Sequence, residues 1–189
     1  MLLWKKEFLQ QKTKGQINGI TGLFFLLFLG ILLATGLQVD AYRAASFYLE
    51  DALAASNLAS ALIDLEEFGI SHAILIDNPE QAYEKFCNAL KGNLQLDENW
   101  KGNNEMLISG AVTVENFTVY NVQENVVTVY SRNATGQLNI WQGILGTVKA
   151  PNEVLIESTS IYSEISFPVE GILGVTVQAH KGKLVDVVA

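Results

Sequence analysis

The sequence predicts an α+β fold: a long N-terminal helix with a transmembrane half and an amphipathic half, one short helix, and a mainly antiparallel β-sheet. Three observations lead there. Residues 15–39 hold no charged side chain. Residues 40–68 contain neither Pro nor Gly and are rich in Ala, the best helix former. From Glu105 onwards apolar residues stop recurring at helical spacing and begin to alternate, as half-buried strands require.

The chain divides by composition into a basic leader (1–14), a transmembrane helix (15–39), an amphipathic helix continuing the span (40–68) and an extracytoplasmic α+β domain (69–189). About 20 apolar residues of helix cross the ~30 Å hydrocarbon core, and 15–39 is long enough. In lipid a backbone must satisfy its own hydrogen bonds, which demands a helix. A secretory leader shares the lysines and the apolar core. The charge-free run here is longer than such a core, and the helical pattern continues through Val39, Tyr42 and Phe47, which predicts a retained helix. Gly19, Gly22, Gly30 and Ala34 are small residues inside the span, and such residues let helices approach closely in lipid.

In residues 40–68, Phe47, Ala54, Leu58, Leu62, Leu65 and Phe68 recur at spacings of three, four and seven, which predicts one apolar stripe. Two partners suit it: the chain's own sheet, or the same helix of neighbouring subunits. Gly69 reads as the helix stop. Acidic Asp64, Glu66 and Glu67 would then sit in the last turn, against the helix dipole. Ala73 to Ile76 reads as a short strand or connector. Asn78 followed by Pro79 and Glu80 is a helix start, and Ala82, Phe86 and Leu90 recur at intervals of four up to Gly92, the expected stop. Six or seven strands follow, at about 112–122, 126–130, 138–145, 154–157, 161–167, 174–179 and 184–188. Gln123 to Asn125 and Asn133 to Gly136 read as turns, and Lys181-Gly182-Lys183 as a hairpin turn before a last edge or closing strand.

Charge is split unevenly. Lys5, Lys6, Lys12 and Lys14 against Glu7 give the leader +3, while residues 40–189 carry 8 basic and 19 acidic side chains, net −11. The positive-inside bias predicts a single-pass protein in the cell membrane, with the N-terminus cytoplasmic and the C-terminal domain extracellular. No basic stripe exists to neutralise phosphates, which argues against nucleic acid.

No catalytic signature is present: no Gly-x-Ser-x-Gly elbow, P-loop or His-Glu-x-x-His. His72 and His180 read as surface or packed histidines, and the one cysteine, Cys87, as a buried thiol on the short helix. The pairs Glu66-Glu67 and Asp97-Glu98 read as solvated faces. Calcium at Asp97-Glu98-Asn99 with Asn103-Asn104-Glu105 is the less favoured reading of that loop. Asn116-Phe117-Thr118 and Asn133-Ala134-Thr135 match the short glycosylation pattern. No cofactor, metal site or enzyme activity is expected.

Basic leader, glycine, apolar helix, alanine-rich helix and antiparallel sheet, in that order, resemble type IV pilin-like proteins. The nearer resemblance is to the TadE-like minor pilin subunits of Flp/Tad-type pilus systems in Gram-positive bacteria. Lys14-Gly15-Gln16 is similar to the basic-Gly-Gln that opens the apolar helix there. The resemblance implies a leader-peptidase cut between Gly15 and Gln16, a prepilin peptidase as partner, other pilin-like subunits packed along the N-terminal helix, and residence in the bilayer or in a surface filament. The family usually carries glutamate at the fifth residue after the cut; here that residue is Ile20, which implies a minor or accessory role. The expected function is a non-enzymatic, membrane-anchored structural or accessory subunit of a pilus or secretion system. The alternative is a single-pass extracellular sensor or ligand-binding domain, for which 14 leader residues supply no output domain.

Overall fold

The structure, a computed structural model, describes residues 2–102, 108, 110–170 and 176–187, with the side chains of all of these except 2–18 and 41. It is α+β and divides into two compact units, Met1–Ala44 and Ala45–Ala189. The first is helical throughout its described length, being the start of α1 (Leu2–Ser60). The second holds the rest of α1, then α2 (Leu65–Ser71), α3 (Pro79–Asn93) and five strands: β1 (Thr113–Gln123), β2 (Val126–Asn133), β3 (Leu138–Ile144), β4 (Ser160–Glu170) and β5 (Thr176–Asp186). The strands form one antiparallel sheet in the order β3-β2-β1-β4-β5.

The centre of the sheet is covered on both faces. On one, Phe117, Val119, Ile161 and Ile165 pack with Leu49 and Leu53 of α1 and Ala82, Phe86 and Leu90 of α3. On the other, Tyr120, Val127, Val129 and Tyr162 pack with Val148, Ala150 and Ile156 from the segment between β3 and β4. α3 forms where its start signal stands: Asn78 accepts from the amides of Glu80 and Gln81, and Pro79 occupies the first turn. The helix runs past Gly92 to Asn93.

Four sequence expectations are corrected. The amphipathic helix stops at Ser60, not Phe68. Asp64 caps a new helix by accepting from the amides of Glu66 and Glu67 at 3.0 and 2.9 Å. The acids therefore lie in the first turn of α2, where the dipole favours them. Gly69 lies inside α2, which ends on left-handed His72 (φ 56°).

The buried face of α1 is also different. Leu49, Ala52, Leu53, Ser56, Asn57 and Ser60 are buried, whereas Phe47 and Leu58 are 67% and 55% exposed. Small serines let α1 lie close to the sheet. Their hydroxyls donate to their own helix, Ser56 to Ala52 O at 2.6 Å and Ser60 to Asn57 O at 2.7 Å.

The segment expected as a strand at 154–157 forms only an isolated bridge, Lys149 with Leu155, and of the strand or connector read at 73–76 the connector is found, with one bridge from Ile76 to Ile63. Each is a short arm held by a few hydrogen bonds. Asn121 brackets Ile76, accepting from its amide and donating to its carbonyl. Ala150 and Ile156 donate to Val154 and Val148.

Finally, Lys181-Gly182-Lys183 is not a turn. The two expected C-terminal strands are one, β5, in which these residues pair with Ile165, Glu164 and Ser163. The expected limits Gly174 and Val188 lie outside the described residues. Gly182 is a close-approach glycine: a Cβ there would stand 2.3 Å from the Tyr162 hydroxyl. The flanking lysines alternate onto the α1 side, where Glu50 waits.

Which face of α1 is buried is testable by urea unfolding. Leu53→Ala is expected to cost about 2–5 kcal/mol and Leu58→Ala no more than about 0.5 kcal/mol. Equal costs would contradict the packing.

Candidate functional site

The feature of α1 that separates its two parts is what surrounds it. TM-competent length and hydropathy are met by Gly19–Ser60, the one such helix among the described residues. Within it, residues 19–37 are exposed all round. A Cβ built on Gly19, Gly22, Gly30 or Gly36 meets nothing within 4 Å, and Ala34 is likewise exposed. The small residues singled out in the sequence thus lie on open helix surface. The polar groups of the segment are satisfied locally: Thr35 donates to Ile31 O at 2.8 Å, and Gln38 Nε2 to the Tyr42 hydroxyl at 2.8 Å. A threonine that bonds back onto its own helix exposes no free hydroxyl to apolar surroundings. Gly15 and Gln16 belong to α1, but their side chains lie outside the described residues.

The second part of α1 is fastened along one line. Lys181 Nζ donates to Ser46 Oγ at 3.1 Å and lies 2.9 Å from Glu50 Oε2; Lys183 Nζ donates to Glu50 Oε1 at 2.7 Å. Leu53 is fully buried. Asn57 Nδ2 donates to Lys183 O at 3.0 Å and Ile161 O at 3.4 Å. Positions 46, 50, 53 and 57 advance by four, three and four, so all face one way. A second tie joins α1 to α3: the Tyr48 hydroxyl donates to Asn93 O at 2.5 Å, and Asn93 Nδ2 donates to Ser56 Oγ at 3.0 Å. The two lysines, Lys183 first, hold the Glu50 carboxyl down at about 2, against an ordinary 4.5.

With this line turned inward, Phe47, Asp51, Ala55, Leu58 and Ala59 face outward. Phe47 and Leu58 belong to the apolar stripe read from the sequence, and the structure leaves them uncovered in this chain.

The remaining chemistry-bearing residues are spread out. His72 is the α2 cap, and His180 Nδ1 lies 3.8 Å from Glu164 Oε1 at the surface. Cys87 is half-buried beside Tyr83, and burial pushes its thiol up, away from the reactive thiolate. Asp97 is occupied by the amides of Asn99 and Lys101, while Asn103, Asn104 and Glu105 lie outside the described residues. Among the described residues no group of three or more His, Cys, Asp or Glu could hold a metal ion. The glycosylation pattern at Asn133 sits in a tight turn whose side-chain oxygen accepts from Thr135 and Gln137. No family model, curated protein or solved structure matches the chain.

The Glu50 pairing has a pH signature. Its folded value lies below the unfolded one, so its contribution is present above pH 4.5 and is lost as pH falls towards about 2. Glu50→Gln is expected to lower the thermal midpoint at pH 7, and the gap to the parent protein should close over that window. A gap that stays constant down to pH 2 would contradict the pairing.

Proposed function

We propose that this chain is a non-enzymatic, membrane-anchored pilin-like subunit, structural or accessory, of a type IV pilus or secretion system of the Flp/Tad kind. The observation that carries the reading is the change in surroundings along α1. The helix is apolar and uncovered over residues 19–37, then buried on one face in an α+β domain. A helix of the first kind is stable in a bilayer, where no water competes for its backbone. The charge asymmetry supports a cytoplasmic leader and an external, acidic domain.

In this reading a leader peptidase cuts between Gly15 and Gln16, and Gly19, Gly22, Gly30 and Ala34 seat partner helices. Phe47, Ala55, Leu58 and Ala59, with Asp51 among them, offer a further contact surface on the domain's own part of the helix. Alanines allow close approach while Phe47 and Leu58 supply apolar area. Ile20 stands where a glutamate would pair with a neighbour's new amino terminus, which favours a minor or accessory subunit over a major one.

Mass spectrometry of the membrane fraction tests both halves. The reading expects a protein retained in membranes and beginning at Gln16. An intact N-terminus would remove the peptidase step, and a freely soluble full-length product would remove the anchor. A cysteine at Leu58, with Cys87→Ser, is expected to cross-link to partner subunits in membranes; the same substitution at Lys149 is the control, and equal yields at both would count against the outward line.

A further inference from the structure

The two edges of the sheet are unlike. β5 carries His180, Lys181, Lys183 and Asp186, and Glu50 ties two of these to α1. β3, LNIWQGI, has no charge and no proline and pairs without a register shift. Native edges are normally guarded by charge, proline, a bulge or a cover. β3 has none of these, and it exposes Leu138, Ile140, Trp141 and Ile144.

The hydrogen-bond phase of this edge is fixed. Asn133 N donates to Gln137 O at 3.2 Å, and Leu145 N to Asn125 O at 3.0 Å. These bonds bracket the β2–β3 ladder. In an antiparallel ladder bonded and non-bonded pairs alternate. The bonded pairs are therefore Ser131–Asn139, Val129–Trp141 and Val127–Gly143. It follows that the amides and carbonyls of Leu138, Ile140 and Gln142 point away from β2, out of the sheet.

We propose that β3 pairs antiparallel with β3 of a second copy of this chain, about a two-fold axis at Trp141. This goes beyond the pilin-like reading and does not rest on it. The outward groups sit on even-numbered residues, so two copies register with Ile140 opposite Gln142 and Leu138 opposite Ile144. Each outward amide of the central pairs then meets an outward carbonyl. The two Trp141 residues face each other at a non-hydrogen-bonded site, where cross-strand side chains come closest. Gly143 leaves room for the Trp141 ring and Val148 of its own chain: a Cβ there would stand 3.1 Å from the ring and 2.4 Å from Val148. A two-fold contact requires a self-complementary patch, and this strand is one.

Charge on the strand itself does not bar this occupant. The chain is strongly acidic, net −8, so two copies repel over most of their surface. The charge-free edge lets them meet without burying a charge or opposing like charges. The dimer should accordingly strengthen as salt screens the rest of the surface.

The test uses the full chain in membranes and in mild detergent. With Cys87→Ser, Trp141→Cys is expected to give a disulfide-linked dimer on oxidation, and Lys149→Cys none. In the otherwise unaltered chain Ile140→Lys is expected to weaken dimerisation about tenfold, measured by sedimentation. Ile140 is exposed, so the thermal midpoint should hardly move. Combined with Trp141→Cys it should remove that cross-link but leave the Leu58→Cys cross-link intact, which separates this contact from the α1 surface. A chain monomeric at every concentration, equal linking at Lys149→Cys, a Trp141→Cys product containing a different protein, or dimerisation indifferent to Ile140→Lys would each overturn the proposal.

Discussion

The line Ser46, Glu50, Leu53 and Asn57 is the constraint on which the rest of the second unit depends. It joins α1 to an edge strand, and it mixes three kinds of interaction in one helical row. Leu53 supplies apolar burial, and Asn57 supplies hydrogen bonds to carbonyls of β5 and its neighbour β4. Glu50 stands between two lysines and offsets their mutual repulsion on β5. Because a helix has one side facing each way, fixing this row inward fixes Phe47 and Leu58 outward. A different choice of buried row would have hidden those side chains and left the lysines unpaired.

The sheet shows the same economy. Its strands are buried on both faces only at the centre, where α1 and α3 lie on one side and the segment bearing Val148, Ala150 and Ile156 on the other. Away from the centre cover runs out, and β3 keeps an apolar, uncharged edge. The Arg132 side chain marks the margin of the covered region: it pairs with Glu80 and lies over the Tyr83 ring, 4.7 Å from its centroid. Beyond it, Val126, Ile140 and Ile144 have no helix above them and are exposed.

Much of this was legible in the residues, for physical reasons. The apolar run announces itself by length and lack of charge, and α3 because propensity, capping and burial agree there. The α1 row was misread because its buried face is more polar than its exposed one. Ser56, Asn57 and Ser60 are hidden while Phe47 and Leu58 are not, so hydrophobic spacing pointed to the wrong side. Asp64-Leu65-Glu66-Glu67 carried a readable signal, an acidic cap followed by acids in the first turn; it was masked by the alanine-rich run before it. Lys181-Gly182-Lys183 has turn composition, but its glycine answers to the Tyr162 hydroxyl and its lysines to Glu50, both distant in sequence. Such long-range reasons leave no local trace.

The central claim is that the uncovered part of α1 lives in lipid while the line on its second part holds a water-facing domain. It is tested most directly by the collision accessibility of a spin label at Leu29 in a Cys87→Ser, Leu29→Cys chain reconstituted into vesicles. Leu29 lies mid-span and is exposed. The account requires frequent collisions with oxygen, which concentrates in hydrocarbon, and almost none with a water-soluble nickel chelate. Ready collision with the chelate would place this segment in water and contradict the account.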